Sequence, residues 1–273
     1  IDNNGEVLWP DRQLMIFSKN ILSATKNQKI VFDVKSSKDL PEYIEKYGGT
    51  PVMCRTGHSY IKMKMKEIDS ILGGEMSGHI FFKDRWFGFD DGIYAGARML
   101  EILSNTSKSS SDLFKELPNS FSTPELNIKV DKDGFQHEFM KKFADNAKFP
   151  EAKIIKIDGV RADFVNGWGI LRASNTTPCL VMRFEADTKE KMFYIQEEFK
   201  KEIIPPYKNM KELYIKEEVS SELLKLLSRK LEVDITYYEE IFNNKQRQSY
   251  FGLPIDSKEL CDNFLNTKYR YQR

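Results

Sequence analysis

Residues 29–55 read Lys-Ile-Val-Phe-Asp-Val-Lys-Ser-Ser-Lys-Asp-Leu-Pro-Glu-Tyr-Ile-Glu-Lys-Tyr-Gly-Gly-Thr-Pro-Val-Met-Cys-Arg. Lys29 to Val34 is a short β-branched apolar run, the pattern of a buried strand. Asp39 to Tyr47 reads as a helix closed by Gly48-Gly49, and Pro51 to Arg55 as a second strand. Upstream, Leu14, Met15, Phe17, Ile21 and Leu22 give Asp11–Ser23 a helical spacing, with Pro10 and Asp11 suited to its first turn. Downstream come a Lys- and Met-rich helix (Ser59–Glu67), a short strand at Ile71-Leu72, a strand at Ile80–Phe82 and a helix over Asp90–Ser104. That last helix has an apolar face of Ile93, Ala97, Leu100 and Leu103. Strand and helix alternate to about Leu103, which implies an α/β layered domain.

The pattern then changes. Ser104–Ser111 reads as a loop, and Leu117–Pro124, with two prolines and three Ser/Thr, as an interdomain linker. Beyond it lie strand-like runs at Glu125–Val130, Lys153–Ile157, Ala162–Val165, Trp168–Arg172 and Cys179–Glu185. Helices are expected over Gly134–Ala147 and Lys189–Ile203, the latter stopped by Pro205-Pro206. This predicts a small α+β domain with an antiparallel sheet. The segment 207–273 carries a helical stripe (Val219, Leu223, Leu226, Leu227, Leu231) and a second helical run at Ser257–Leu265; it is unassigned beyond a helical tail. At the other end, Asn4-Gly5 reads as a tight turn and Glu6–Trp9 as the second strand of a hairpin, so the chain is expected to begin mid-hairpin, as a fragment.

The 273 residues carry 42 Lys+Arg against 41 Asp+Glu, a net charge of +1. That balance removes the electrostatic reason to expect nonspecific nucleic-acid binding but leaves room for a local anion site. No run approaches the roughly 18 apolar residues of a membrane helix. Cys54, Cys179 and Cys261 make neither metal-ligand spacing nor a disulfide framework. The polar, acidic start lacks the pattern of a signal peptide, and a cytoplasmic protein is expected. There is no P-loop, no strand–G-x-G-x-x-G–helix unit and no G-x-S-x-G elbow. Their absence disfavours P-loop NTPases, dinucleotide oxidoreductases and α/β-hydrolases.

Two loops concentrate chemistry. Gly73-Gly74-Glu75-Met76-Ser77-Gly78-His79 sets a carboxylate, a hydroxyl and an imidazole among three glycines, a set suited to sugar hydroxyls. A Gly-rich turn between strands is an equally good reading. Arg172-Ala173-Ser174-Asn175-Thr176-Thr177-Pro178 offers a cation, three hydroxyls, an amide and loop N–H groups, the makings of an anion cradle. A polar hairpin loop with a proline stop is the commoner meaning of that composition. At Arg55-Thr56-Gly57-His58-Ser59 a helix cap at Ser59 and a surface histidine explain the residues, taken alone, better than a site does. Lys35 closes a strand end, where α/β folds bind ligands and where a salt bridge is also ordinary. Asp90 and Asp91 fit helix capping better than a metal, His137 receives no role, and Trp86, Phe87 and Phe89 read as core or an aromatic rim.

Several stretches, in order and spacing over residues 1 to about 205, resemble the α-D-phosphohexomutase superfamily in its bacterial phosphomannomutase/phosphoglucomutase form. They are Pro10-Asp11-Arg12, Phe32-Asp33-Val34-Lys35, Thr56-Gly57-His58-Ser59, and Gly74-Glu75-Met76-Ser77-Gly78-His79 with Phe89-Asp90-Asp91-Gly92. In the second unit they are Asp158-Gly159-Val160-Arg161, Gly167-Trp168-Gly169, and Arg172-Ala173-Ser174-Asn175-Thr176-Thr177-Pro178. The resemblance implies that residues 1–117 correspond to the family's domain 3, with a mixed sheet, and 121–205 to domain 4. It implies the substrate-recognition half of an isomerase that moves a phosphoryl group between O1 and O6 of mannose or glucose phosphates, through a hexose 1,6-bisphosphate. The alternative is a non-catalytic phosphosugar-binding module. Arg172, Ser174, Asn175, Thr176 and Thr177 would hold the nonreacting phosphate, Glu75 and Ser77 the sugar O3 and O4, and Lys35, His58 and Arg12 the rim. His79 would lie nearest the phosphoserine as an auxiliary to proton transfer. The phosphoserine and the magnesium ligands belong to the family's domains 1 and 2 and are expected outside this chain, which would lack a metal site of its own.

Overall fold

The computed structural model describes residues 1–130 and 134–203. They belong to the first of two units, Ile1–Glu217 and Glu218–Arg273. The expected tail helices, at 219–231 and 257–265, lie outside the described residues.

The chain enters through α1 (Pro10–Ala24), with Pro10 in its first turn, where a missing N–H costs nothing. There follow β1 (Lys29–Asp33), α2 (Asp39–Lys46), β2 (Thr50–Cys54), α3 (His58–Ile68), β3 (Leu72–Gly74), β4 (Ile80–Phe82), α4 (Gly92–Ser104) and α5 (Ser110–Lys115). The four strands form one sheet in the order β2-β1-β3-β4, with β1 parallel to both β2 and β3 and β4 antiparallel to β3. It is the mixed sheet the sequence implied. Between α2 and β2, the Gly49 N–H reaches the Ile44 carbonyl at 3.0 Å and Gly48 takes φ +84°, a glycine-terminated helix end. The period-2 geometry of β1 sends Ile30 and Phe32 toward α1 and α2, and Val31 toward Ile61 and Met65 of α3. Helices therefore cover both faces of the sheet, which is why β1 is apolar almost throughout rather than alternating.

The second half runs β5 (Phe121–Ser122), β6 (Leu126–Lys129), α6 (Phe135–Asn146), β7 (Lys153–Ile155), β8 (Val160–Phe164), β9 (Gly167–Ala173), β10 (Cys179–Ala186) and α7 (Lys189–Ile203). All its strand pairings are antiparallel, in the order β5-β10-β9-β8-β7 with β6 also on β10. The sheet has two unlike faces. Phe184 packs on Phe199 of α7 at 5.3 Å between ring centres, and Phe149 packs on Phe199 at 4.5 Å. The opposite face turns to the first sheet: Trp168 and Ile170 cluster with Val34, and cross-strand register puts Arg161 and Arg183 on that same side.

Three expectations fail. Ser59 does not cap α3, because the helix already runs from His58 and Gly57 occupies the N-cap. Glu6–Trp9 is not a strand. The Asp2 carboxylate accepts the Asn4 and Glu6 N–H groups at 2.8 and 2.9 Å, so a local Asx turn uses the donors a partner strand would need. Asn4 keeps a negative φ, and only Gly5 takes the left-handed region, at φ +83°. Helix α4 also buries a different face from the one its apolar spacing suggested. Ile93 and Leu100 are 89% and 68% exposed, whereas Ala95 and Arg98 are buried. The reason is Arg98: its guanidinium lies 4.7 Å from the Phe82 ring centre and pairs with Asp84 at 2.9 Å. A paired arginine covering an aromatic edge turns its own side of the helix inward.

Candidate functional site

The three parallel strands end at one edge of the first sheet, and the segments leaving them converge there. Asp33, fully buried at the end of β1, organises that edge. Its carboxylate accepts from Ser36 Oγ (2.8 Å), Thr56 Oγ1 (3.1 Å) and the Met76 N–H (3.1 Å). One side chain thereby fixes the loops after β1, β2 and β3.

Glu75 follows β3 and is 3% exposed. Its Oε1 accepts the Gly57 N–H at 2.5 Å and its Oε2 accepts from Ser77 Oγ at 2.9 Å. The loop is closed by the Glu75 N–H on the His79 carbonyl and the Gly78 N–H on the Glu75 carbonyl. Gly78 stands at φ +100°, a conformation an L side chain resists. Burial, and then the Asp33 charge, push the Glu75 carboxyl above its ordinary range, against the hydrogen bonds from Gly57 and Ser77. His79 Nδ1 meets Asp90 Oδ2 at 2.6 Å, and the His79 and His58 rings are 5.7 Å apart. The α4 cap is Asp91, which accepts the Tyr94 N–H at 2.9 Å, leaving Asp90 for the histidine.

The loop between β9 and β10 supplies the second cluster. Arg172 is buried, with Nε on Asp158 Oδ2 at 3.0 Å; among the described residues its two Nη groups have no partner in the protein. Ser174 Oγ sits 2.9 Å from Thr177 Oγ1 and accepts the Thr177 N–H at 3.2 Å, a serine turn that leaves Asn175, Thr176 and Thr177 exposed. A fork of unpaired N–H donors beside a turn of hydroxyls and amides is suited to a tetrahedral oxyanion.

Arg12 and Lys35 sit differently from these. Arg12 pairs with Asp39 at 3.3 Å and donates to the Pro118 carbonyl and to Ser120 Oγ, so it braces the linker segment. Lys35 is 3% exposed and forms an ion pair with Glu125, with Asp33 Oδ2 at 4.0 Å. The structure thus brings Glu75, Ser77, His58 and His79 together, and separately Arg172 with Ser174–Thr177. It engages Arg12 and Lys35 internally. Sequence reasoning missed Asp33, Asp90, Asp158 and the Gly57 N–H as organisers. The available signals were a carboxylate at the carboxyl end of a buried strand and an Asp-Gly turn beside an arginine loop.

Two family profiles match the chain. One, described as phosphoglucomutase/phosphomannomutase, alpha/beta/alpha domain III, matches residues 9–121; the other, phosphoglucomutase/phosphomannomutase, C-terminal domain, matches 125–202. A phosphomannomutase/phosphoglucomutase of Pseudomonas putida is 49% identical over 204 residues, 75% of this chain and 44% of that protein. A phosphoglucomutase of Neisseria meningitidis is 50% identical over 201 residues, 73% of this chain and 44% of that protein. Among solved structures, a phosphoglucomutase/phosphomannomutase family protein from Burkholderia thailandensis aligns with TM-score 0.69 and 40% identity, over 80% of this chain and 44% of that one. The chain spans less than half the length of each of these three relatives.

Proposed function

The chain belongs to the phosphoglucomutase/phosphomannomutase family, and from that membership we infer that it recognises hexose phosphates as the substrate-binding half of a hexose 1-phosphate/6-phosphate mutase. In that reaction a phosphoserine gives its phosphoryl group to the sugar. The resulting hexose 1,6-bisphosphate turns over in the site, and its other phosphate returns to the serine. A site serving both orientations needs one end that grips any phosphate and one that grips hydroxyls alike in both poses.

In this reading the Arg172 Nη groups, Ser174, Asn175, Thr176 and Thr177 hold the nonreacting phosphate. Glu75 and Ser77 hold the O3 and O4 hydroxyls, since a carboxylate accepts from hydroxyls and repels phosphate. His58 flanks the sugar, and His79, oriented by Asp90, takes or gives a proton beside the reacting oxygen. Lys35 joins the rim by exchanging Glu125 for a ligand oxygen, and Arg12 supports it through the linker. The serine nucleophile and a magnesium ion would come from the domains the longer relatives possess. Among the described residues no group of three or more His, Cys, Asp or Glu side chains is placed to hold a metal ion. No helix among them is long and apolar enough to cross a membrane.

The observation that carries this reading is the pairing of opposite chemistries: a buried carboxylate already holding a hydroxyl, and an arginine fork with no partner among the described residues. Titration with glucose 1-phosphate, glucose 6-phosphate, mannose 1-phosphate and free glucose, followed by ³¹P and ligand-detected NMR, tests it. The phosphosugars should bind and free glucose should not. Equal binding of free glucose, or no binding of any phosphosugar, rules the reading out.

A further inference from the structure

Asp158 has no part in the scheme above, yet its carboxylate, 8% exposed, bonds to both halves of the site. Oδ2 accepts Arg172 Nε at 3.0 Å and the Thr56 N–H at 3.1 Å. The next amide along, Gly57 N–H, donates to Glu75 Oε1 at 2.5 Å. Two consecutive amides therefore hold two carboxylates, one under each cluster. The turn carrying Asp158 lies close against β9. Gly159 adopts φ +74°, and a Cβ there would fall 2.6 Å from Arg172 Cβ and 2.7 Å from Arg172 Cα. Asp158 is thus pressed against the strand that bears the arginine.

We propose that Asp158 is a positioning residue: it fixes the plane of the Arg172 guanidinium through Nε and, through the Thr56–Gly57 amides, registers the phosphate-holding fork against Glu75. A carboxylate on Nε restrains the end of a long side chain while leaving both Nη groups for the ligand. The restraint also removes in advance the rotamer entropy that binding would otherwise cost. This rests on the phosphosugar reading.

The test compares the wild-type chain with Asp158→Asn, which keeps shape and removes charge, using inorganic phosphate and glucose 6-phosphate as probes. Loss of one side chain's preorganisation should weaken both by about 2–12-fold. The Arg172 Nε–H proton resonance, assigned by its disappearance in Arg172→Lys, should exchange slowly with water in the wild type and fast in Asp158→Asn. A role in folding alone would leave that resonance unmoved in the folded variant. Glu75→Gln should weaken glucose 6-phosphate while leaving that resonance and inorganic phosphate unchanged. Binding of neither probe by the wild type overturns the phosphosugar reading and this inference with it. Binding by the wild type with unchanged affinity and Nε–H exchange in Asp158→Asn overturns the inference alone. If Asp158→Asn does not fold, the wild type decides: an Arg172 Nε–H in fast exchange with water is incompatible with the proposal.

Discussion

The Arg161 guanidinium lies 3.9 Å from the centre of the Trp168 ring, and both side chains are all but fully buried. Arg161 Nη1 donates to the carbonyls of Val34 (2.6 Å) and Ser36 (2.9 Å), and Nε to Asp163 at 2.7 Å. Arg183 lies 5.5 Å from the centre of the same ring and donates to the Lys35 carbonyl. The two sheets therefore meet through cations that satisfy the carbonyls of the segment leaving β1 beside a shared indole. Burial pulls the Arg161 guanidinium below its ordinary range, and the Asp163 charge opposes that pull. Removing either arginine leaves buried carbonyls of that segment without their donor.

Arg161→Met should cost about 2–4 kcal/mol, since two buried carbonyls lose their donor at about 1–3 kcal/mol each while methionine restores part of the packing. Asp163, 30% exposed, regains water and adds little. Urea unfolding reads this directly; a loss below about 1 kcal/mol would mean that the seam is held elsewhere.

The stability of Glu75→Gln relative to the wild type should rise with pH, on top of whatever glutamine loses by offering one acceptor oxygen where the carboxylate offers two. The Glu75 carboxyl has its affinity for protons raised by burial in the folded chain, so the folded state holds that proton more tightly than the unfolded one. Stability is then lost as pH rises from the ordinary value of 4.5 through the raised one, and glutamine escapes that loss. The Tm of the variant minus that of the wild type, followed from pH 4 to pH 8, should rise and then level off. A difference that is flat or falls with pH contradicts this.

The layers were legible because periodicity survives in single segments: the apolar run at Lys29–Asp33 and the turn at Gly48-Gly49 carry their meaning locally. The face of α4 was not, because Arg98 counts as polar in a pattern yet is buried over Phe82. The two binding loops stood out because their polar groups are adjacent in sequence. Asp33, Asp90 and Asp158 did not, because each acts through hydrogen bonds to residues many positions away, and no spacing rule connects 158 to 56. Arg12 and Lys35 could be noticed as cations, but their engagement with Asp39 and Glu125 is a property of the packed chain alone.

Gly159→Ala should destabilise strongly, by about 2–4 kcal/mol, through strain at positive φ together with overpacking. A Cβ there meets the Leu171 carbonyl oxygen as well as Arg172. Gly88, also at positive φ (+81°) but where a Cβ would meet Lys83 Cβ only at an ordinary contact distance of 3.8 Å, provides the control: Gly88→Ala carries the conformational strain without the collision and should cost about 1 kcal/mol. Equal losses in the two variants, measured by denaturant midpoint, would remove the steric part of the argument.

Arg172→Ala should impair both binding and folding, for separable reasons. Loss of a charge-assisted bidentate contact weakens a phosphosugar by about 1.5–3 kcal/mol, or about 10–150-fold. The same change strips the buried Asp158 carboxylate of its cation and leaves it the Thr56 N–H, at about 1–3 kcal/mol of stability. Neutralising that carboxylate removes the second penalty and not the first. The double variant Arg172→Ala with Asp158→Asn should therefore regain most of the lost stability in a thermal melt while binding no better than Arg172→Ala alone. A double variant that melts no higher than Arg172→Ala would mean that Asp158 is solvated or protonated in the folded chain, and that the Arg172–Asp158 pair contributes little to the fold.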